Sequence, residues 1–489
     1  MKIKLFIYLG ISLWLFSSCQ ESTDELQELE TGIENIAKST STEQTYEIDA
    51  NEAAEVANLF VSKEANTRTA TPQISEIQTI QDDKFGVLMY AINFANDNGY
   101  VLVSATKKYY PILAYAEQGH FDANQKGMDI WLEDEKNMMK ICLDDSTATY
   151  NTQWMQYTKK NTTSNSSIMT RLESNRPETL NWWWMEVGNE ITNPDYHSDY
   201  EDSHAALGTL SGNYFYHVDE ARNVLPDCAS IYNEMAEKCR IYGFSENDVI
   251  YHIREFYEGT VINPLLTTNW TQGYPYNWKV NKSLGCVTIA VAQVMYHHRK
   301  PTYYKWDEIN VNNDTTEAQG SFFKDLGEKL GIDYDTNDAG SDIGKAKKVL
   351  QSYGYIVNEK DDCSATEIYS ELIADRPIYM RGRTHQILGF DAGSGHAWVC
   401  DGYRYDKSTL VLTVYAPFNS HPDSKGLYAT NPYLPQWDYY GSSDNSNLYY
   451  HMNWGWAGNS STSWNRAGDY TAPNGKVYKR NKKYLFVKP

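Results

Sequence analysis

The stretch that decides the fold is Leu284-Gly285-Cys286-Val287-Thr288-Ile289-Ala290-Val291-Ala292-Gln293-Val294-Met295. Small and apolar residues at helical spacing predict a buried helix, and the glycine before Cys286 sets the helix start there. A helix buried on every side shows only its ends, so its first turn presents Cys286 at an edge. Free main-chain N–H groups and the positive end of the helix dipole stabilise a thiolate at that place. A cysteine alone is more often inert core than nucleophile, and the case for chemistry rests on its companions.

Fourteen positions upstream, Asn269-Trp270-Thr271-Gln272-Gly273-Tyr274-Pro275-Tyr276-Asn277 carries a glutamine in a turn-rich loop. The Gln272 amide N–H₂, with the Cys286 main-chain N–H, supplies the donor pair that acyl transfer needs for its oxyanion. Downstream, Gly395-His396-Ala397 leads into the apolar run Trp398-Val399-Cys400, ended by Asp401-Gly402. A strand is expected there, with the His396 imidazole facing Cys286 across a helix–sheet cleft and no bulky neighbour in the way. The third segment, His451-Met452-Asn453-Trp454-Gly455-Trp456, offers an amide to hold the ring of His396 in one tautomer and an indole to keep water from that contact. Packing alone does not account for a loop glutamine, a helix-start cysteine, a Gly-His and an Asn-Trp-Gly-Trp in this order.

On these residues the chain resembles the streptopain family of papain-like bacterial cysteine peptidases. The matching stretches are Trp270 to Asn277, Gly285 to Pro301, Arg376 to Tyr379, Gly395 to Tyr403 and Tyr450 to Gly458. The resemblance implies an α+β, papain-like fold, with a helical part bearing the cysteine and an antiparallel sheet bearing the histidine. It implies Cys286 as nucleophile, His396 as general base and acid, and Gln272 as oxyanion donor. Asn453 and Trp454 match the Asn-Trp pair of the family, and which of the two mainly orients the histidine is left open. After the cysteine the family runs through smaller residues than Val287-Thr288-Ile289-Ala290, a bulkier but still apolar departure.

Further upstream, Leu88 to Phe94 alternates as a strand, Asn98-Gly99 signals a turn, and Tyr100 to Ala105 returns as a second strand. With Pro111 to Phe121 and a helix over Met128 to Asp144, this pattern is similar to the small α+β prosegment of that family and to its related inhibitors. The resemblance implies a unit that covers the cleft and keeps the enzyme latent until it is cut.

The N-terminus combines a basic start, Met1-Lys2-Ile3-Lys4, with the apolar run Leu5 to Phe16 and with Phe16-Ser17-Ser18-Cys19, which resembles a bacterial lipoprotein signal. About a dozen apolar residues are too few for a membrane span. Export is therefore expected, with Cys19 lipidated and the mature chain anchored to the cell envelope; plain secretion is the alternative. The expected organisation is a signal peptide over 1–18, an acidic tether over 19–45 and a prosegment-like inhibitory domain over 46–150. A linker over 151–172, a segment of unassigned role over 173–254 and a catalytic domain over 255–489 follow. Within 173–254, Asn181-Trp182-Trp183-Trp184-Met185 reads as packing rather than as a ligand platform, and helices are expected near 228–242 and 245–257.

A formal charge of −21 opposes non-specific nucleic-acid binding. Seven cysteines in 489 residues do not make a disulfide scaffold. Cys228 and Cys239, at either end of an expected helix about 16 Å long, cannot bridge, and Cys142, Cys363 and Cys400 read as buried thiols. Asp333-Tyr334-Asp335-Thr336-Asn337-Asp338 begins like a calcium loop, but Asp338 replaces the turn glycine and Gly344 the bidentate glutamate. It reads as a loop into a helix over Ile343 to Ser352, stopped by Gly354. His297-His298 lacks a second ligand pair. No metal or organic cofactor is implied; the expected partners are protein or peptide substrates, the chain's own prosegment and a membrane reached through the lipid. Arg383, His385 and Tyr449 are candidates for the cleft wall. Two further readings use the same residues: a Cys-His acyltransferase or amidase of narrow substrate range, and a catalytically silent, peptide-binding surface lipoprotein.

Overall fold

A computed structural model describes residues 46–64, 72–145, 153, 154, 157, 209–225, 228–309, 315–334, 341–387, 390–416, 437–439, 445–456, 461–467 and 482–489. Cys19, the tether, most of the linker over 151–172, the three consecutive tryptophans and most of the calcium-like loop lie outside the described residues.

The first described unit pairs helix α1 (Ala50–Glu64) with the antiparallel strands β1 (Ile74–Asp82), β2 (Gly86–Phe94), β3 (Tyr100–Ser104) and β4 (Ile112–Ala116). The turn between β2 and β3 contains Gly99 at φ +92°, where a β-carbon would strike the carbonyl of Ala116. Helix α2 (Met128–Asp144) follows, over the residues expected for it. Gly127 caps it at φ +96°, its N–H bonded to Asp129 Oδ1 at 2.8 Å.

After residue 208, β5 (Thr209–Tyr216), α3 (Val218–Val224) and α4 (Ala229–Tyr242) lead to β6 (Ile250–Ile262). The helix expected near 245–257 is thus a strand. Ile250, Tyr251, Ile253 and Phe256 are β-formers, and a thirteen-residue ladder onto a later strand overrides any helical spacing. Helices α3 and α4 cover this ladder through Ala221, Tyr232 and Met235. The stretch from 209 therefore extends the sheet that carries His396.

The helical half comprises α5 (Cys286–His298), α6 (Glu317–Lys329) and α7 (Ile343–Ser352), then β7 (Ile356–Lys360) and α8 (Ala365–Ile373). Gly354 stops α7 region at φ +85°. The sheet half is β8 (Ile378–Ile387), the long β9 (Phe390–Tyr415), β10 (Trp437–Tyr439), β11 (Asn445–Asn453), β12 (Thr462–Arg466) and β13 (Lys482–Lys488). Among the described residues thirteen strands join in one sheet, with the path β1-β2-β3-β4-β12-β11-β9-β8-β13-β7.

Two packing relations position the site. Residues 287–296 of α5 are all buried, between α6 and α7 on one side and Tyr379, Ala397 and Val399 of β8 and β9 on the other. This leaves the N-terminus of α5 at the helix–sheet junction. The largest core is shared by the first unit and the sheet half: Met128, Ile130, Trp131 and Met139 of α2 pack with Trp398, Met452 and Trp454. Strand β4 meets β12 through Tyr115 opposite Trp464 and Ala114 opposite Asn465, and the Trp131 indole donates to the Arg466 carbonyl at 3.3 Å.

Cys142, Cys228, Cys239 and Cys400 are buried, and Cys363 is half-buried.

Candidate active site

Cys286 opens α5 because Gly285, at φ +80° and ψ 143°, turns the chain in a way that an L-residue rarely adopts. The sulfur is half-buried, and the main-chain N–H groups of Ala397 and Val287 point at it. Burial pushes the thiol up; those N–H groups and the Lys126 charge pull the other way without overcoming it. At neutral pH the group is a thiol.

His396 stands in β9 between an exposed Gly395 and a buried Ala397. Its Nε2 lies 2.8 Å from the main-chain oxygen of Trp454 and 3.2 Å from the indole nitrogen of Trp456. A carbonyl only accepts and an indole only donates, so one nitrogen cannot satisfy both. The indole has a second acceptor, the Lys126 carbonyl at 3.1 Å. Hence Nε2 carries the proton and gives it to Trp454, while Trp456 gives its own to Lys126. This tautomer leaves the Nδ1 lone pair free, and Nδ1 is buried with no hydrogen-bond partner. It is the form a general base needs. Burial, with a smaller push from Lys126, lowers the imidazole to about 4. Thiol and imidazole are therefore both neutral, and no hydrogen bond joins them.

The reason lies in the first unit. Gly127 sits against the ring of His396, with Lys126 beside both catalytic candidates. Trp456 stacks on His396 at 5.6 Å between ring centres. Residues 126 and 127 thus close the site from outside. Trp456 belongs to the Asn-Trp-Gly-Trp motif singled out in the sequence, whereas residues 126 and 127 do not stand out there; their one signal is a glycine directly before a helix with no Ser, Thr, Asp or Asn cap.

Asn453 does not touch the histidine ring. Its Nδ2 donates to the Thr268 carbonyl at 2.8 Å, and its Oδ1 accepts from Gln293 Nε2 at 2.9 Å and from Gly455 N at 3.2 Å. It ties β11 to α5 and to the loop before it, and so holds the Trp454 carbonyl in place. The Trp454 side chain is buried, its indole bonded to the Ser463 hydroxyl at 3.0 Å. Gln272 lies in the loop leading to Cys286. Its main-chain oxygen accepts from Leu284 N at 2.9 Å, and the Ser283 hydroxyl donates to its Oε1 at 3.3 Å, which leaves N–H₂ as the donor end.

Of the residues proposed for the cleft wall, Tyr449 is buried under β4, its hydroxyl bonded to the Ile112 carbonyl at 3.1 Å. Arg383 lies on β8 opposite Gly395, and the side chain of His385 lies outside the described residues. His297 bonds Asp375 while His298, packed against Tyr355, is lowered to about 4 by burial and then by the His297 charge. Among the described residues no three His, Cys, Asp or Glu side chains cluster as metal ligands do.

Residues 301–464 match the model of the Peptidase C10 family, and residues 45–139 match that of the Spi protease inhibitor. Among solved structures the chain is similar to a fragment of prointerpain A from Prevotella intermedia. The identity is 14%, with 85% of this chain and 99% of that chain covered at a TM-score of 0.39. No curated protein sequence matches.

Proposed function

We propose, for a chain that is a cysteine endopeptidase of the streptopain type with a Spi-like prosegment attached, that Cys286 and His396 hydrolyse peptide bonds through a thioester and that residues 126–127 hold them latent. The observation that carries this reading is the His396 ring, held by Trp454 in the tautomer of a base and covered by Gly127.

In the uncovered site Nδ1 takes the Cys286 proton, and the thiolate attacks the substrate carbonyl carbon. The Gln272 N–H₂ and the Cys286 N–H receive the oxyanion. The imidazolium, held by Trp454, returns its proton to the leaving amine as the C–N bond breaks. Water, deprotonated by the same nitrogen, then displaces the sulfur from the thioester and releases the acid.

While the prosegment is docked, desolvation keeps both groups neutral, and the ion pair that makes a cysteine nucleophilic does not form. Its departure returns water to His396 and removes the Lys126 charge, and both changes favour the imidazolium. The cut that starts this is expected in the stretch 158–208, between the buried Tyr157 and β5. The N-terminal pattern supports export and lipid attachment at Cys19, checked by palmitate labelling that Cys19→Ser abolishes.

The test is incubation of residues 20–489 under reducing conditions beside Cys286→Ala, with chain size and casein hydrolysis followed together. The wild type is expected to shorten and digest casein while Cys286→Ala stays full length and silent. If both stay intact and inactive after the prosegment is removed, peptide hydrolysis is wrong. A narrow acyltransferase, an amidase or a silent binding lipoprotein then takes its place.

A further inference from the structure

The strand that joins the prosegment to the catalytic sheet leaves behind an edge with its own chemistry. Strand β12 is bonded to β11 on one side and to β4 on the other. When β4 leaves, β12 presents unpaired main-chain N–H and C=O groups, the template to which an extended segment adds itself as a strand.

The edge also has a side-chain well, filled in the zymogen by Tyr115. Its ring stacks on Trp464, at 6.4 Å and 15° between planes, and meets Tyr449 edge-on at 5.7 Å. Its hydroxyl accepts from Arg404 Nη1 at 2.9 Å. Trp464, Tyr449 and Arg404 come from β12, β11 and β9, all within the catalytic part. Arg404 is held by Asp406, Nε to Oδ2 at 2.7 Å, so its fork stays aimed when Tyr115 is gone. An aromatic face plus an oxygen that accepts from a guanidinium is the chemistry of tyrosine; phenylalanine offers the first half only.

Through Trp464 the well adjoins a cavity. From Tyr115 the prosegment runs on through Ala116, Glu117 and Gln118 along this cavity of about 520 Å3, whose far wall includes Thr268, Asn269, His451 and Ser461. The Thr268 hydroxyl is buried there without a partner. Ser461 accepts from Trp454 N at 2.8 Å, and the Trp454 carbonyl holds His396. Without the prosegment this cavity opens as a polar groove from the β12 edge to Asn453 and Ser461.

We propose that in the processed enzyme the β12 edge and its Trp464–Tyr449–Arg404 well bind an extended, tyrosine-bearing segment of a protein substrate, remote from the bond being cut. This rests on the peptidase reading and adds a substrate class to it: unfolded or strand-exposed proteins that carry tyrosine.

The probe is a fluorescent peptide of residues 111–118, beside the same peptide with Tyr115→Ala. The enzyme is the self-processed chain, or one nicked with trypsin in 158–172 if it does not cut itself, separated from its prosegment. The tyrosine peptide is expected to bind at least tenfold more tightly than the alanine peptide, by anisotropy, which needs no turnover. In excess it should raise the KM for casein and leave hydrolysis of a short fluorogenic peptide unchanged. Arg404→Met should bring the tyrosine peptide down to the affinity of a Tyr115→Phe peptide, still above that of the alanine peptide. Equal binding of the two peptides overturns the proposal, as does equal inhibition of short-peptide hydrolysis, which would put the probe in the cleft. A processed chain that sediments as a dimer and binds neither peptide gives the edge to a second copy. A chain that binds the tyrosine peptide selectively but cleaves nothing keeps the edge as a peptide site and overturns the peptidase reading alone.

Discussion

A β-carbon placed on Gly127 would stand 2.8 Å from Cδ2 of His396 and 2.4 Å from the ring of Trp454. A glycine from the prosegment thus covers the ring of His396, and it fits because it has no side chain.

Gly127→Ala should therefore loosen this cover. The alanine meets two rigid rings and the φ of +96° together, an overpacking and strain of about 1–3 kcal/mol. The variant zymogen is expected to hydrolyse casein with a shorter lag than wild type, roughly five- to a hundredfold. A lag equal to wild type would show that Gly127 is not what covers the site.

Trp456→Phe removes the indole N–H that Lys126 accepts and keeps an aromatic face on His396. One neutral hydrogen bond contributes about 0.5–1.5 kcal/mol, so activation should start about threefold to tenfold sooner. Casein hydrolysis by the processed enzyme should stay close to wild type, a comparison that separates latching from catalysis.

Asn453→Ala and Gln272→Ala should differ in kind. Asn453 bridges β11, α5 and the Thr268 loop in the core, and truncating it leaves buried partners unmatched at about 2–4 kcal/mol. Its melting temperature and kcat should fall together. Gln272→Ala removes an oxyanion donor from a loop and should lower kcat about a hundredfold or more with little change in melting temperature.

Acid should favour opening. With the prosegment docked, His396 titrates near about 4, below the ordinary histidine value of 6.5. Between these values the docked form binds fewer protons than the open one, so lowering the pH through that window weakens docking, by up to roughly 3 kcal/mol. Half-buried His298, also lowered to about 4, adds in the same sense to global unfolding but not to docking. Activation rates measured from pH 7 to pH 4 should rise while His396→Ala shows no such rise in prosegment release.

Cutting the linker alone should not free the prosegment at once. Met128, Ile130 and Met139 are buried in a core shared with the catalytic sheet, each contributing about 1.5–3 kcal/mol. Lys482 meets Asp134 at 3.3 Å, both buried, across the same boundary. The two pieces of a freshly nicked Cys286→Ala chain are expected to elute together.

The places of Cys286 and His396 in the fold, and the prosegment, were legible in the sequence because each has a local signal. A glycine before an all-apolar helix places Cys286, a Gly-His-Ala before an apolar run places His396, and strand spacing followed by amphipathic spacing finds β2, β3 and α2. Such signals depend on residues a few positions apart, where the geometry of one element decides. The extent of β6 escaped that reading, because its ladder partner on β9 lies some 150 positions on and pairing, rather than spacing, made it a strand. The tertiary structure alone decided that a main-chain oxygen of Trp454, and not the Asn453 amide, meets His396. It alone placed Gly127 on that ring and Tyr115 on Trp464. Those contacts join residues tens to hundreds of positions apart, and they exist only once burial of the shared core has brought the prosegment onto the sheet.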